Sequence, residues 1–183
     1  MKKIIILLLI CLTYSCNTNT SKSKKESITK NSSEQEYTDI IGIFQKDDLS
    51  SNPHAEWFKE NYENYSLDQI TAKKIKPLMK DFEITVFMGT WCSDSRRDSP
   101  GFFKLMDFID FDYKKLELIA MSLEKTTPDS LERGLEIYNI PTFIFKKNGN
   151  EVNRIVEFPI ETLEKDILNI VSGKDYRNAY ADF

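Results

Sequence analysis

The sequence has few of the residues on which several classes of protein depend. It contains three cysteines and one histidine in 183 residues, and three cysteines cannot form a disulfide scaffold. Six glycines and six prolines exclude collagen-like and low-complexity chains, and the 12% aromatic content excludes a wholly disordered one. Lysine and arginine total 25 against 29 acidic residues, so the basic surface that nucleic-acid binding requires is missing.

Residues 1–15 have the features of a secretory signal peptide. Lys2 and Lys3 precede an apolar run at residues 4–12, and the small residue Ser15 follows shortly after it. The run is too short to cross a bilayer, because a spanning helix needs about twenty apolar residues. The sequence therefore predicts export of the rest of the chain.

The segment ends in Leu-Thr-Tyr-Ser-Cys at residues 12–16, which resembles a bacterial lipobox. The resemblance implies that Cys16 is lipidated and becomes the first residue of the mature protein. We then expect a membrane contact through the lipid anchor and a location in the cell envelope. The domain would face the periplasm, and the outer membrane is favoured over the inner. The alternative is an ordinary signal peptide cleaved nearby, with Cys16 incidental.

Composition divides the remaining chain into three parts. Residues 16–36 hold the lipidated cysteine and a segment with one isoleucine and no aromatic residue, which predicts a flexible tether. Residues 37–80 predict a helical N-terminal extension whose two helices open at Asn52-Pro53 and at Ser66, the second ending before Pro77. Residues 81–183 form the main domain. Residues 37–80 could also complete the sheet of that domain or dock a partner.

The main domain alternates between strand and helix patterns. Strands are expected at 82–88, 116–121, 142–146 and 152–157, and helices over 96–108, 127–138 and 160–171. A strand–helix–strand unit gives parallel strands, and Asn148-Gly149 gives an antiparallel hairpin. The fold class is therefore α/β, with a central mixed sheet of four to five strands flanked by helices on both faces.

Cys92 occupies the position at which the first of these strands meets a helix. A thiol at a helix N-terminus meets unpaired backbone N–H groups and the positive end of the helix dipole, and both favour the reactive thiolate. Arg96, one turn further along the helix, could assist, whereas Asp94 would oppose the effect if it pointed at the sulfur. The alternative is that Cys92 is a small buried apolar residue without chemistry.

Three motifs in order resemble the thioredoxin family, over residues 82–171. Trp91-Cys92-x-x-Ser95 is similar to the family's Trp-Cys-x-x-Cys, Pro100 matches its helix-kinking proline, and Ile140-Pro141-Thr142-Phe143 is similar to its Ile-Pro-Thr segment. Lys147-Asn148-Gly149 is similar to the turn before its last strand. The resemblance implies a thioredoxin-like fold with Pro141 in a cis peptide facing Cys92. It also implies that the backbone of Ile140 pairs with a bound substrate strand and that Trp91 shapes the surface.

Two positions depart from the family pattern. Ser95 replaces the second cysteine, so the domain lacks an internal resolving thiol, and Val86 stands where the family has a buried aspartate. The two changes are consistent, because the family's buried aspartate manages protons for the resolving thiol. A protein without that thiol does not need the aspartate. Ser95 could instead donate a hydrogen bond to the thiolate of Cys92, or it could be an ordinary residue of the first helical turn.

These features predict a thiol–disulfide oxidoreductase or isomerase that forms mixed disulfides through Cys92 alone. Its partners would be disulfide-containing envelope proteins or small thiols, with no cofactor and no metal. Release would need a second thiol, from the substrate, from a small molecule or from a partner protein. The competing hypothesis is a catalytically inactive binding or chaperone module of the same fold. A peroxidase of the peroxiredoxin type fits poorly, because Thr90 lies two residues before Cys92 rather than three.

Overall fold

The computed structural model describes residues 38–182. The predicted signal peptide, Cys16 and the tether therefore lie outside the described residues. The strands are β1 Gly42–Phe44, β2 Phe82–Met88, β3 Leu116–Ala120, β4 Thr142–Lys147 and β5 Asn150–Val156. The α-helices are α1 Ala55–Asn64, α2 Gln69–Ile75, α3 Ser93–Phe108 and α4 Leu163–Val171. Three short 3₁₀ helices are present at Lys46–Ser50, Lys76–Asp81 and Tyr113–Lys115.

The five strands form one mixed sheet in the order β1-β3-β2-β4-β5. β2 pairs in parallel with β3, and the other neighbouring strands pair antiparallel. β2 is a central strand because nearly all its residues are β-branched or apolar and only Glu83 is exposed. These observations confirm the α/β class and the mixed sheet, with a parallel crossover unit followed by an antiparallel hairpin.

The four α-helices contribute to one hydrophobic core on one face of the sheet. Alternate residues of the central strands, such as Val86, Leu118 and Phe143, point into this core. The buried residues of the helices meet them there, including Phe58 of α1, Ile75 of α2, Phe102 of α3 and Ile167 of α4. Strand β2 and the helix α3 that follows it are thus held in the largest apolar cluster of the described residues.

The expected helix over residues 127–138 is wrong, because this segment folds into successive turns. Ser130, Gly134 and Glu136 all have positive φ values, which a right-handed helix does not allow. The turns instead place Leu131 and Leu135 against a second, smaller cluster formed by apolar residues of the opposite sheet face. Burial of these leucines on the sheet overrides the local helix pattern, and turns rather than a helix cover this face.

The region before residue 82 is not wholly helical. Gly42–Phe44 pairs antiparallel with β3 and completes the sheet, so the alternative in which this region adds a strand is confirmed. This strand was not predicted from the sequence, because it has only three residues and Ile43 is exposed. Among residues 38–182, no helix combines the length and the apolar character needed to cross a membrane.

Three predicted helix starts are shifted. His54 precedes α1 as its N-cap, whereas the Asn52–Pro53 bond is cis and lies outside the helix. Asp68 rather than Ser66 caps α2, since its carboxylate accepts hydrogen bonds from the first-turn N–H groups. α4 begins at Leu163 because Thr162 adopts an extended conformation and caps it.

A side chain of the N-terminal extension also satisfies a backbone carbonyl group of α3 that the helix itself leaves unpaired. Pro100 lies inside this helix and has no N–H to offer the carbonyl oxygen of Arg96, four residues earlier. The side chain of Asn61 in α1 donates a hydrogen bond to that carbonyl at 3.1 Å. Helix α1 is thus attached to the active-site helix close to the thiol.

Candidate active site

Cys92 is the N-cap residue of α3, directly after the loop that leaves β2. Its backbone is extended, and its N–H donates to the carbonyl oxygen of Gly89 at 3.1 Å. No side chain caps the first-turn N–H groups of α3 at this position, so the positive end of the helix dipole is directed at the cleft. Cys92 is 9% exposed, and it lines an open cleft of about 360 Å³.

The Ile140–Pro141 segment lies against the thiol. Its peptide bond is cis, as the resemblance implies, and it leads directly into β4. Sγ of Cys92 lies 3.6 Å from the carbonyl oxygen of Ile140, within the range of a thiol hydrogen bond. The two residues are 48 positions apart in the chain, and β4 beside β2 brings them together. The structure thus joins two of the three sequence motifs in one site.

Trp91 forms one wall of the cleft. Its indole N–H donates to the carbonyl oxygen of Met121 at 2.8 Å, just beyond the end of β3. A Cβ atom on Gly89 would lie 2.8 Å from the Trp91 ring and 3.0 Å from Ile140. Glycine at this position therefore allows the tryptophan and the isoleucine to close around the loop.

Ser95 lies beneath the loop rather than in the cleft. It is fully buried, and its hydroxyl oxygen accepts a hydrogen bond from the N–H of Gly89 at 3.1 Å. No hydrogen bond joins Ser95 to Cys92 in the described part of the chain. The serine therefore holds the loop that carries the thiol, and its contact with the thiolate remains a prediction.

The charged side chains near the thiol have specific partners. Asp94 forms an ion pair with Arg97 at 2.5 Å, and Arg97 also pairs with Asp98 at 2.7 Å, so the charge that would oppose a thiolate is offset only in part. Arg96 donates through Nε to the carbonyl oxygen of Thr90, and its guanidinium lies over the ring of Trp57 at 5.5 Å. Arg96 is therefore held by the back of the active-site loop.

Three residues of the site are not among the site residues that the sequence predicts. Thr90 is fully buried, and its hydroxyl donates to Asp39 at 2.9 Å and accepts from the N–H of Ile40 at 3.1 Å. Lys125 and Glu157 line the cleft beside Cys92. Both come from loops, where neither periodicity nor a motif marks a residue, and only the folded chain brings them to the thiol.

Within residues 38–182, no group of three or more histidine, cysteine, aspartate or glutamate residues is arranged to hold a metal ion. Val86 is fully buried in the core, at the position where the resemblance places an aspartate. The apolar side chain agrees with a site that lacks a second thiol.

The chain was compared with known proteins at three levels. No family model matches it. It is 27% identical over 89 residues to Thioredoxin-like protein R548 of Acanthamoeba polyphaga mimivirus, a match that spans 49% of this chain and 62% of that protein. The chain thus spans less than two thirds of this relative.

Two solved structures that resemble this chain have TM-scores below 0.5. A protein of unknown function from Pseudomonas aeruginosa has a TM-score of 0.47 with 18% identity, covering 63% of this chain and 80% of that one. Oxidised mitochondrial thioredoxin 3 from Saccharomyces cerevisiae has a TM-score of 0.32 with 22% identity, covering 52% and 86%.

The decisive observation is the mixed five-stranded sheet whose β2–α3 junction carries a cysteine against a cis Ile-Pro segment at the start of β4. The fold is thioredoxin-like. Cys92 is the only cysteine among residues 38–182, so this part of the chain carries a single thiol.

Proposed function

We propose that this thioredoxin-like protein is a thiol–disulfide oxidoreductase or isomerase that works with Cys92 alone. The observation that carries the proposal is the position of this thiol, which lines an open cleft at the N-terminus of α3, 3.6 Å from the carbonyl oxygen of Ile140. A helix N-terminus favours the anionic form of sulfur that attacks disulfides.

The first step is the formation of a mixed disulfide. The Cys92 thiol loses its proton to solvent, and the thiolate attacks one sulfur of the substrate disulfide. A new sulfur–sulfur bond forms, the substrate's own bond breaks, and its electron pair leaves on the second substrate sulfur as a thiolate.

The second step needs a thiol from outside the domain. A thiolate attacks the substrate sulfur of the mixed disulfide, and Cys92 leaves as a thiolate. If the attacking group is another cysteine of the substrate, the substrate disulfide is rearranged without a net redox change. If two small thiols act in turn, they are oxidised to a disulfide and the substrate is reduced to two thiols.

The Ile140–Pro141 segment is the proposed contact for the substrate backbone. Its carbonyl at Ile140 already faces the sulfur, so an extended peptide beside it would bring its disulfide to Cys92. Trp91, fixed by its hydrogen bond to Met121, would form the adjoining wall. Disulfide-containing envelope proteins are the partners we propose.

A second candidate is a binding or chaperone module that uses the same cleft without chemistry. The low exposure of Cys92, 9%, favours this candidate, because a protected thiol reacts slowly. The two candidates predict opposite effects of folding on the reactivity of the same sulfur.

The test is the reaction of the full chain with the neutral probe 2-hydroxyethyl disulfide, followed by peptide mass mapping. We expect an adduct on Cys92 that forms about tenfold faster in the folded than in the urea-unfolded chain, because the helix N-terminus activates the thiol. The variant Cys92→Ser serves as the control, since it must lose this adduct and keep any adduct on Cys11 or Cys16. Slower reaction of Cys92 in the folded chain would instead support the binding module.

We also propose that lipid on Cys16 anchors the domain in the cell envelope, facing the periplasm, with the outer membrane favoured. The apolar run, the small Ser15 and the tether composition support this proposal. The mature chain is acidic, so attachment would depend on acyl chains rather than on attraction to anionic lipid.

The anchor is tested by the intact mass of the protein extracted from membranes. We expect a chain that begins at Cys16 and carries acyl chains, and a Cys16→Ser variant that is released from the membrane fraction. An unmodified chain that begins at another residue would contradict the anchor without affecting the chemistry proposed for Cys92.

A further inference from the structure

Three charged side chains line the cleft that contains Cys92: Asp94, Lys125 and Glu157. Asp94 forms an ion pair with Arg97, whose guanidinium also pairs with Asp98. The ammonium group of Lys125 donates to the carbonyl oxygen of Tyr138. Neither Lys125 nor Glu157 has an ion-pair partner within residues 38–182, so each keeps its full charge at the cleft, and Glu157 supplies a carboxylate that no cation pairs with.

The backbone of Glu157 is fixed beside the thiol. Its N–H donates to the carbonyl oxygen of Pro141 at 2.7 Å, and Pro141 follows the residue whose carbonyl contacts Sγ of Cys92. Glu157 has a φ of 65°, a left-handed conformation that glycine adopts far more readily than glutamate. The structure thus keeps a charged side chain at a position where its backbone conformation favours glycine.

The carboxylate of Glu157 is also held in place. The hydroxyl group of Tyr180, near the C-terminus, donates a hydrogen bond to it. Tyrosine is protonated near neutral pH because it ordinarily titrates near pH 10, and this hydrogen bond raises the pKa of Tyr180 further. Because the donor is neutral, it orients the carboxylate and leaves its charge in the cleft.

We propose that Glu157 is a specificity-determining residue that favours substrates with positive charge beside the reacting sulfur. The inference rests on the proposed exchange at Cys92 and names the class of its substrates: disulfides flanked by lysine or arginine, or aminothiols. The carboxylate attracts a cation as the disulfide enters the cleft and repels an anion. The described residues also carry an excess of negative charge, with 26 acidic against 19 basic residues, and this excess likewise attracts cations.

The experiment measures adduct formation on Cys92 with three probe disulfides of different charge. Cystamine is cationic, 2-hydroxyethyl disulfide is neutral and 3,3′-dithiodipropionate is anionic, and each rate is divided by the rate with a free thiol. We expect Glu157→Gln to lower the cationic-to-anionic rate ratio about three- to tenfold, the range for removing one charge from a solvated cleft. The neutral probe should react at an unchanged rate, and high salt should shrink the difference.

Two further variants keep the test decisive. Glu161→Gln removes one negative charge from an exposed side chain that pairs with Lys165 outside the cleft, and it should leave the ratio unchanged. Glu157→Gly removes the charge and suits the left-handed backbone, so it should match Glu157→Gln even if glutamine perturbs the loop.

The outcomes separate the two proposals. If the neutral probe reacts at Cys92 and neither Glu157 variant alters the ratio, the specificity proposal is wrong and the exchange chemistry stands. If Glu161→Gln alters the ratio as much as Glu157→Gln, the selectivity belongs to the net charge of the domain and the proposal is also wrong. If the neutral probe does not react at wild-type Cys92, both proposals fail.

Discussion

Replacing Ser95 by cysteine is expected to shorten the lifetime of mixed disulfides on Cys92 by at least about a hundredfold. The new thiol would lie three residues after Cys92 in the first turn of α3, where side chains three apart share one face. It could attack the mixed disulfide within the same molecule, and an oriented intramolecular thiol acts at a far higher effective concentration than any external one. The products would be a disulfide between Cys92 and the introduced cysteine, and the released substrate thiol.

The Ser95→Cys substitution is also expected to lower the free energy of unfolding, because residue 95 is buried. The hydroxyl oxygen of Ser95 accepts a hydrogen bond from the N–H of Gly89 at 3.1 Å inside the protein. Sulfur is a weaker acceptor, and an unsatisfied buried N–H costs about 1–3 kcal/mol. The reduced variant should therefore unfold at lower denaturant concentration than the wild type.

Intact mass and adduct decay after removal of the probe check this prediction. The matched control is Ser93→Cys, which adds an exposed thiol next to Cys92. Adjacent Cα atoms lie about 3.8 Å apart, closer than the usual 4.4–6.8 Å of a disulfide, so this variant should keep long-lived adducts. Equal adduct lifetimes in the Ser95→Cys protein and the wild type would mean that residue 95 cannot reach the bound sulfur.

Gly101→Ala is expected to lower the free energy of unfolding by about 1–3 kcal/mol, the usual range for overpacking. Helix propensity alone predicts the opposite sign, because alanine in a helix interior is better than glycine by about 1 kcal/mol. Gly101 lies within α3, and a Cβ atom there would lie 2.6 Å from the ring of Tyr65.

The Tyr65 ring cannot easily move aside. Its hydroxyl group donates to the buried carboxylate of Glu164 at 3.0 Å, and the ammonium group of Lys104 donates to its backbone carbonyl at 2.8 Å. Burial raises the pKa of Tyr65, and the neighbouring Glu164 raises it further, so the ring remains a protonated donor at neutral pH. Both ends of the residue are therefore fixed.

Urea unfolding of a double-mutant cycle measures the effect. In a Tyr65→Ala background, Gly101→Ala should become neutral or stabilising, because the obstructing ring is gone and the helix propensity remains. A stabilising effect of Gly101→Ala in the wild-type background would show that the ring yields at little cost. This contact links the N-terminal extension to the active-site helix.

Much of the fold follows from the sequence because its signals are local. The β-branched and aromatic residues of 82–88 predict β2, and the apolar face of 163–171 predicts α4, since each pattern has the period of its own element. The hairpin is predicted equally well, because Asn148 and Gly149 both adopt the positive φ that its turn requires.

Prediction from the sequence failed where burial of side chains competes with the local preference for a helix, and where a strand is very short. Residues 127–138 have a helix start and helical spacing, yet the structure bends them into turns so that Leu131 and Leu135 reach the second sheet face. β1 was not predicted as a strand, because three residues with one exposed isoleucine carry too weak a pattern.

By itself, the sequence determined the central strands, the hairpin turn and the position of one cysteine where a strand gives way to a helix. The resemblance had already implied Ile140, Pro141 and Trp91 beside that sulfur. Only the tertiary structure decided the other groups around it, the ammonium group of Lys125 and the carboxylate of Glu157. The reason is physical, since periodicity records which side of an element is buried. Contacts between residues tens of positions apart arise when strands pair and side chains fill the remaining space.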